Sequence, residues 1–292
     1  MRTVHLTFQN HTGSVEHYYH FFFGYLVPLC SYLSVSPAAR GDAHLLTRSC
    51  GPMDRILHEL DIQRLELVEK RVHRRLAKAG RLDPSSRIVE VTGTDLGRVH
   101  HEYDHGMIAR ARRYILRRCR QRIEIHRETL HRTWPPDRPR ILVVDRGDSD
   151  PFYVTRRSER KGAAMQRRRV ANHDAIVAGL QGVFRNTISR RLERVPLAEQ
   201  IALFEAADVV IGQHGAALSN LVWMRCGRAV VEINPRINGR LREHFERLAT
   251  GRGLVYHRVV QRDAFAKVPP ERVVATVRLV LDDLSRAPRH PR

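Results

Sequence analysis

Residues 208–220 read Asp-Val-Val-Ile-Gly-Gln-His-Gly-Ala-Ala-Leu-Ser-Asn. An apolar strand, Asp208 to Ile211, runs into a turn of small residues and then into a new helical pattern near Ala216. In open α/β sheets, ligands lie just beyond the carboxyl ends of the strands, where such turns sit. Gly212, Gly215 and Ala216 leave room for backbone to approach a ligand, and a helix opening near Ala216 would point free N–H groups at an anion such as a phosphate. The same residues also suit an ordinary strand-to-helix turn whose small side chains only permit close packing. A second pattern, His101-Glu-Tyr-Asp-His105, is a literal H-E-x-x-H of the zinc-hydrolase type. Gly106 follows it at once, Asp104 is an unusual helix-interior residue, and a third metal ligand would have to come from Glu124 or Glu128. A polar linker ahead of a long helix accounts for these residues as well.

The elements that must position the turn alternate along the chain. In the first part, Val4 to Phe8, Ala43 to Thr47 and Arg87 to Val91 read as strands, and Arg64 to Val68 as a weaker one. Between them Glu16 to Leu33 reads as a helix apolar nearly all round, hence buried, and Met53 to Leu60 and Val72 to Ala79 as shorter helices. Residues 107–131 form a long basic helical pattern with Ile108, Ala111, Ile115, Cys119 and Ile123 on one face. Trp134-Pro-Pro-Asp-Arg-Pro139 cannot continue a helix and places a domain boundary, giving domains 1–134 and 135–292. Beyond it, strands are expected at Ile141 to Val144, Ile188 to Leu192, Asp208 to Ile211, Ala229 to Ile233 and Leu254 to Val260. The intervening helices are Asn172 to Leu180, Leu197 to Ala206, Leu241 to Thr250 and Arg272 to Leu284. Beyond the break, this alternation over ~150 residues predicts an α/β fold with a parallel, doubly wound sheet.

Composition bounds the rest. With 292 residues, 42% hydrophobic and 28% charged, the chain can bury a sizeable core and is neither a mini-domain nor generally disordered. It has no run of ~18 uncharged apolar residues of the kind that spans a membrane, and its start lacks a charged-then-apolar leader. Cys30, Cys50, Cys119 and Cys226 are far apart, as reduced core thiols are. The expectation is therefore a cytoplasmic protein. The net charge is +20, and of 51 basic residues only four are lysine, leaving 47 arginines. Such a charge fits a nucleic-acid or anionic-membrane binder, and equally a compositional drift toward arginine that says nothing about partners. No zinc finger, RNA-binding or helix-turn-helix pattern supports nucleic acid.

The order Leu197-Ala-Glu-Gln200, Asp208-Val-Val-Ile-Gly212-Gln-His214-Gly215-Ala216-Ala217-Leu218-Ser219-Asn220 and Val231-Glu232-Ile233 resembles the signature of glycosyltransferase family 61. Upstream, Asp145-Arg146 ending an apolar strand and Arg168-Arg169-Val-Ala-Asn172 are similar to further family segments. His17-Tyr-Tyr-His20-Phe-Phe-Phe-Gly24 is similar to the family's aromatic helix. The resemblance is ordered over residues 140–235, suggestive over 14–30, and not visible over 35–130. Ala217 stands where the family usually has a second glycine, and Gly24 where it often has aspartate. An arginine-rich insertion of roughly a dozen residues lies between Arg146 and Arg168, a change that loops tolerate.

The resemblance implies a GT-B-like enzyme, two Rossmann-like α/β domains facing a cleft, that moves a sugar with inversion from a nucleotide-diphosphate sugar to a glycan or protein hydroxyl. The leaving phosphate gathers negative charge while the sugar becomes cationic, and preorganised cations or helix-end N–H groups can stabilise it without a metal. Arg146 and Arg168 are the candidate clamp. Arg169, His214, Gly215, Ala216, Asn220 and Glu232 complete the expected donor site, Asn220 and Asn172 reading more as scaffold than as chemistry. The acceptor hydroxyl needs a base. His20, on the aromatic helix and placed to face the interdomain cleft, is one candidate, and Asp148, after the Arg146 strand, is a second. Asp148-Ser-Asp150 is also a literal D-x-D, the metal-holding pattern of GT-A enzymes, but neither a metal nor another cofactor is expected. A basic nucleic-acid-binding protein without activity is the alternative function, with peripheral contact to an anionic inner membrane face a further expectation.

Overall fold

The computed structural model of the protein describes residues 2–9, 13–36, 43–92, 103–159 and 161–286. The chain forms two compact units. Unit 1 comprises Met1–Arg120 and Pro151–Lys161, and unit 2 comprises Gln121–Asp150 and Gly162–Arg292.

Unit 1 is built on β1 (Thr3–Gln9), β2 (His44–Arg48), β3 (Leu65–Val68) and β4 (Ser86–Thr92), paired in parallel in the order β3-β2-β1-β4. The aromatic segment begins as α1 (Tyr18–Phe21), widens into a π-helical turn over Phe22–Leu26, and resumes as α2 (Val27–Val35). Pro28 explains the widening. It has no N–H to donate to the preceding turn and its ring crowds the carbonyl four residues back. The π turn takes up that mismatch, with the Val27 N–H reaching back to the Phe22 carbonyl. Phe21, Phe22, Phe23, Tyr25, Leu26 and Leu29 are fully buried, each contributing roughly 1.5–3 kcal/mol of burial free energy. Gly24 sits inside the same buried turn. The sheet is completed by α3 (Asp54–Glu59) and α4 (Lys70–Gly80).

The arginine-rich insertion contributes a strap, Pro151–Lys161, that belongs to unit 1. Its Tyr153 ring stacks on His17 at 4.8 Å and its hydroxyl donates to the Glu16 carbonyl. Its Glu159 accepts from Ser14 Oγ at 2.6 Å, from Arg48 Nη2 at 2.9 Å and from Lys70 Nζ. Burial opposes ionisation of Glu159, but Lys70, Ser14 and Arg48 together pull its carboxyl down to about 2.

The long helix α5 (His105–Thr133) is capped by Asp104, whose Oδ1 accepts from the Met107 N–H at 2.8 Å. Ile108, Ala111, Ile115, Cys119 and Ile123 are buried along one face, the stripe visible in the sequence. Of the H-E-x-x-H pattern, His101 and Glu102 lie outside the described residues, and no cluster of three metal-ligating side chains occurs among the described ones. No described helix is long and apolar enough to cross a membrane.

Unit 2 carries β5 (Ile141–Asp145), β6 (Thr187–Arg191), β7 (Val209–Gln213), β8 (Ala229–Pro235) and β9 (Val255–Gln261), parallel throughout in the order β6-β5-β7-β8-β9. On one face Ile141, Val143, Val209, Ile211 and Val231 pack with residues of α6 (His173–Val183) and α9 (Pro270–Arg286). Alternation sends Leu142, Val210 and Val230 to the opposite face, where α7 (Leu197–Ala206), a 3₁₀ segment Ala216–Trp223 and α8 (His244–Gly251) lie. Both units are thus α/β with parallel sheets, and the sheet of unit 2 is the one that the alternation in sequence predicts.

Candidate active site

In unit 2 the direction of strand addition reverses beside β5. The chain moves out from β5 to β6 on one side and then returns to β7 on the other. At such a switch point two loops diverge and leave a crevice beyond the strand ends. Here the loops are Asp145-Arg146-Gly147 after β5 and His214-Gly215 after β7. The crevice is lined by Asp145, Arg146, Arg169, His173, Gly212 and Gln213, among others.

Two guanidinium groups converge on one carbonyl. Arg146 Nη2 donates to the His214 carbonyl at 2.7 Å, and Arg168 Nη1 donates to the same oxygen at 3.0 Å. Neither forms an ion pair with a carboxylate among the described residues. Burial, reinforced by Arg168, pulls the Arg146 pKa down to about 9, and burial with Arg167 and Arg242 pulls Arg168 down to about 10. Both remain charged at neutral pH. Confining two cations this closely is costly unless an anion joins them.

Gly215 makes the arrangement possible. Its backbone is extended, so its conformation does not require glycine. A Cβ there, however, would lie 1.6 Å from Arg146 Nη2. The space expected to admit a ligand at residue 215 is therefore filled by the Arg146 side chain. Gly212 is a matter of packing, since a Cβ would press on Leu218 at 3.0 Å. The segment after Gly215 is 3₁₀, not the α-helix its sequence pattern indicates, with Leu218 N–H bonded to the Gly215 carbonyl at 2.9 Å. Ala216, at its first position, is half-buried.

His214 is buried, its ring edge-on to Phe245 with centroids 5.1 Å apart. Its Nδ1 lies 2.6 Å from Glu232 Oε1. Burial lowers the histidine pKa, with Glu232 opposing that shift. Glu232 is completely buried, and its second oxygen accepts from Asn234 Nδ2 at 3.1 Å and from the Tyr256 hydroxyl at 2.5 Å. Expected to meet a donor hydroxyl, Glu232 thus has both oxygens engaged within the protein. Asn220 is used internally too. Its amide donates to Gln200 Oε1 at 2.9 Å and to the Ala217 carbonyl, and its oxygen accepts from Trp223 Nε1 at 3.0 Å. Gln200 in turn donates to the Val195 carbonyl, so the separated Gln200 and Asn220 of the sequence pattern tie α7 to the 3₁₀ segment. Asn172 clasps Val268 through both its amide atoms.

Unit 2 therefore brings Arg146, Arg168, His214, Gly215 and Glu232 together. Arg169 has an exposed side chain and lines the crevice mouth, its N–H held by the Ala264 carbonyl. Asp148 is exposed on the loop after β5. His20 belongs to unit 1, where its ring fills the space a Cβ on Gly13 would need. Sequence reasoning passed over Gln213, Asn234 and Tyr256. A glutamine between Gly212 and His214 carries no motif, Asn234 reaches Glu232 from two residues along β8, and Tyr256 becomes a partner of Glu232 only through the pairing of β8 with β9.

No curated protein is similar enough to match the chain. The family model described as glycosyltransferase 61 matches residues 18–231, more than half of its length. The matched span holds the guanidinium pair, the small-residue turn and His214 and ends one residue before Glu232, and the chain belongs to glycosyltransferase family 61, which makes it a glycosyltransferase.

Proposed function

We propose that the protein transfers a hexosyl or pentosyl group, with inversion, from a nucleotide-diphosphate sugar to a hydroxyl of a glycan or protein, on a GT-B architecture. The observation that carries this reading is the pair Arg146 and Arg168, donating to one carbonyl with no carboxylate partner among the described residues, beside a switch-point crevice. A diphosphate supplies the missing negative charge. As the glycosidic oxygen departs, charge accumulates on the β-phosphate, and guanidinium groups already fixed in place stabilise it without reorganisation. His214, oriented by Glu232, presents its other ring nitrogen as a further polar contact near the diphosphate. Inversion requires a base for the acceptor hydroxyl. His20 is assigned that role, with Asp148 the second candidate.

The test is a donor panel. UDP- and GDP-sugars are expected to raise the melting temperature and to be hydrolysed slowly, while salt-sensitive binding of oligonucleotides without any nucleotide-sugar effect would replace this reading with the nucleic-acid one. The clamp assigns leaving-group stabilisation to arginine, so EDTA is expected to leave transfer largely intact. Loss of activity with EDTA, restored by a divalent ion, would move that role to Asp148 and Asp150. A cytoplasmic enzyme touching an anionic membrane face through its arginines fits the +20 charge.

A further inference from the structure

The crevice beside the arginine pair contains a buried acceptor that the protein itself leaves unused. Gln213 is the last residue of β7, 7% exposed, and its Oε1 has no hydrogen-bond partner among the described residues. The orientation of its amide is fixed from outside. Gln261 Nε2 donates to the Ala266 carbonyl at 2.6 Å and to the Arg169 carbonyl at 3.3 Å, which turns Gln261 Oε1 toward residue 213. Gln213 Nε2 then donates to that oxygen at 2.6 Å and to the Ala264 carbonyl at 3.2 Å. Flipping Gln213 would turn its oxygen against Gln261 Oε1 and the Ala264 carbonyl, and flipping Gln261 would turn its oxygen against the Arg169 and Ala266 carbonyls, so Gln213 Oε1 stays an acceptor. In the same crevice, Arg146 Nε is buried and has no partner among the described residues either. Buried polar atoms without partners are rare in native proteins and call for an explanation. A free donor on a cation and a free acceptor on an amide, one residue from the carbonyl that both arginines share, suit a ligand carrying a phosphate oxygen and a nearby hydroxyl or N–H.

We propose that Gln213 is a specificity-determining residue of the donor site, its side-chain oxygen accepting a hydrogen bond from a ribose hydroxyl or a base N–H of the donor nucleoside. This rests on the reading that a nucleotide diphosphate binds at Arg146 and Arg168. An acceptor locked by a second glutamine rejects a nucleoside that presents an acceptor or a methyl group at that point, because its own desolvation is then uncompensated. The Gln213–Gln261 clasp also holds the chain at Arg169 and Ala264, so ligand recognition is coupled to the shape of the crevice mouth.

The experiment is calorimetric titration of the full chain with UDP, GDP, CDP and ADP. The tightest binder is then compared with its 2′-deoxy, 3′-deoxy and base-methylated forms, on wild type and on Gln213→Met. Wild type is expected to bind one of the three analogues roughly 10- to 100-fold more weakly than the parent. The analogue that suffers identifies the ribose or the base as the source of the hydrogen. Gln213→Met is expected to weaken the parent by a similar factor and to lose the discrimination. Equal binding of all three analogues by wild type overturns the proposal even if the variant does not fold. So does a folded Gln213→Met protein that keeps both affinity and discrimination. Failure of all four nucleotides to bind wild type would instead remove the donor-site reading on which the proposal rests.

Discussion

Gly215 is a glycine for reasons of space. Its extended backbone would accept any side chain, but the Arg146 guanidinium occupies the position of a Cβ. Gly215→Ala is therefore expected to displace Arg146 from the His214 carbonyl and to lower transfer on the order of 100-fold, as loss of a transition-state donor does, with an unchanged far-UV spectrum. The diagnostic is non-additivity. In an Arg146→Ala background the same alanine should cost nothing further, and steady-state kinetics of the single and double variants check it. Equal, multiplying losses would separate the two residues. At this scale the sequence revealed part of the site. Arg146 and Arg168 could be picked out because their order ahead of the small-residue turn resembles the family's, Arg146 directly after β5 and Arg168 shortly before α6. The use of Glu232 to orient His214 could not, because a carboxylate in an apolar strand looks the same whether it faces a ligand or a neighbouring histidine. Gln213 was invisible because its significance depends on Gln261, 48 positions away.

At the scale of elements, the strap Pro151–Lys161 and the aromatic segment show what periodicity does and does not convey. Apolar patterning identifies strands and helices wherever burial dictates side-chain type, and β1, β5, β7 and α7 fall where that patterning puts them. The π turn over Phe22–Leu26 escapes it, since a continuously buried segment gives no phase from which an extra residue per turn can be read. The 3₁₀ course of Ala216–Trp223 escapes it for a similar reason, with Leu218 to Trp223 all buried. The strap has no periodicity and is held by discrete polar contacts, above all Glu159 with Arg48, Lys70 and Ser14. Glu159→Ala should release it. Limited trypsinolysis is expected to cut several-fold faster at the exposed Arg156 and Arg157, because cleavage follows the population of the open form. Unchanged cleavage would show that Tyr153 against His17 and the strap's bonds to Glu16 hold it without the Glu159 carboxylate.

For the whole molecule, three buried histidines give a pH dependence with a definite sign. Burial lowers the pKa values of His5, His73 and His214 below the ordinary 6.5. Below that value the unfolded chain takes up protons that the folded chain does not, so stability falls as pH drops through 6.5 toward the lowered values. Each histidine contributes a slope of at most ~1.4 kcal/mol per pH unit. A second loss follows between 4.5 and about 2, where Glu159 is ionised in the folded chain and protonated in the unfolded one. Melting temperature measured from pH 8 to 4 should decline steadily below 6.5, and a flat profile would contradict the assignment. The strand orders β3-β2-β1-β4 and β6-β5-β7-β8-β9 are the level least accessible from sequence. Alternating strands and helices imply parallel doubly wound sheets but do not say on which side of β5 the next strand is added, and that choice creates the crevice. The net charge of +20 gave no such guidance, because most of its arginines are spread along exposed faces while the two that matter are drawn inward. The central claim, a diphosphate held by Arg146 and Arg168, is tested most directly by titrating UDP and GDP into wild type and into an Arg146→Ala/Arg168→Ala variant of unchanged far-UV spectrum. The account predicts that the nucleotide bound by wild type loses at least about 100-fold in affinity in the variant, as removal of two charge-assisted donors implies, whereas equal affinity for both proteins would contradict it.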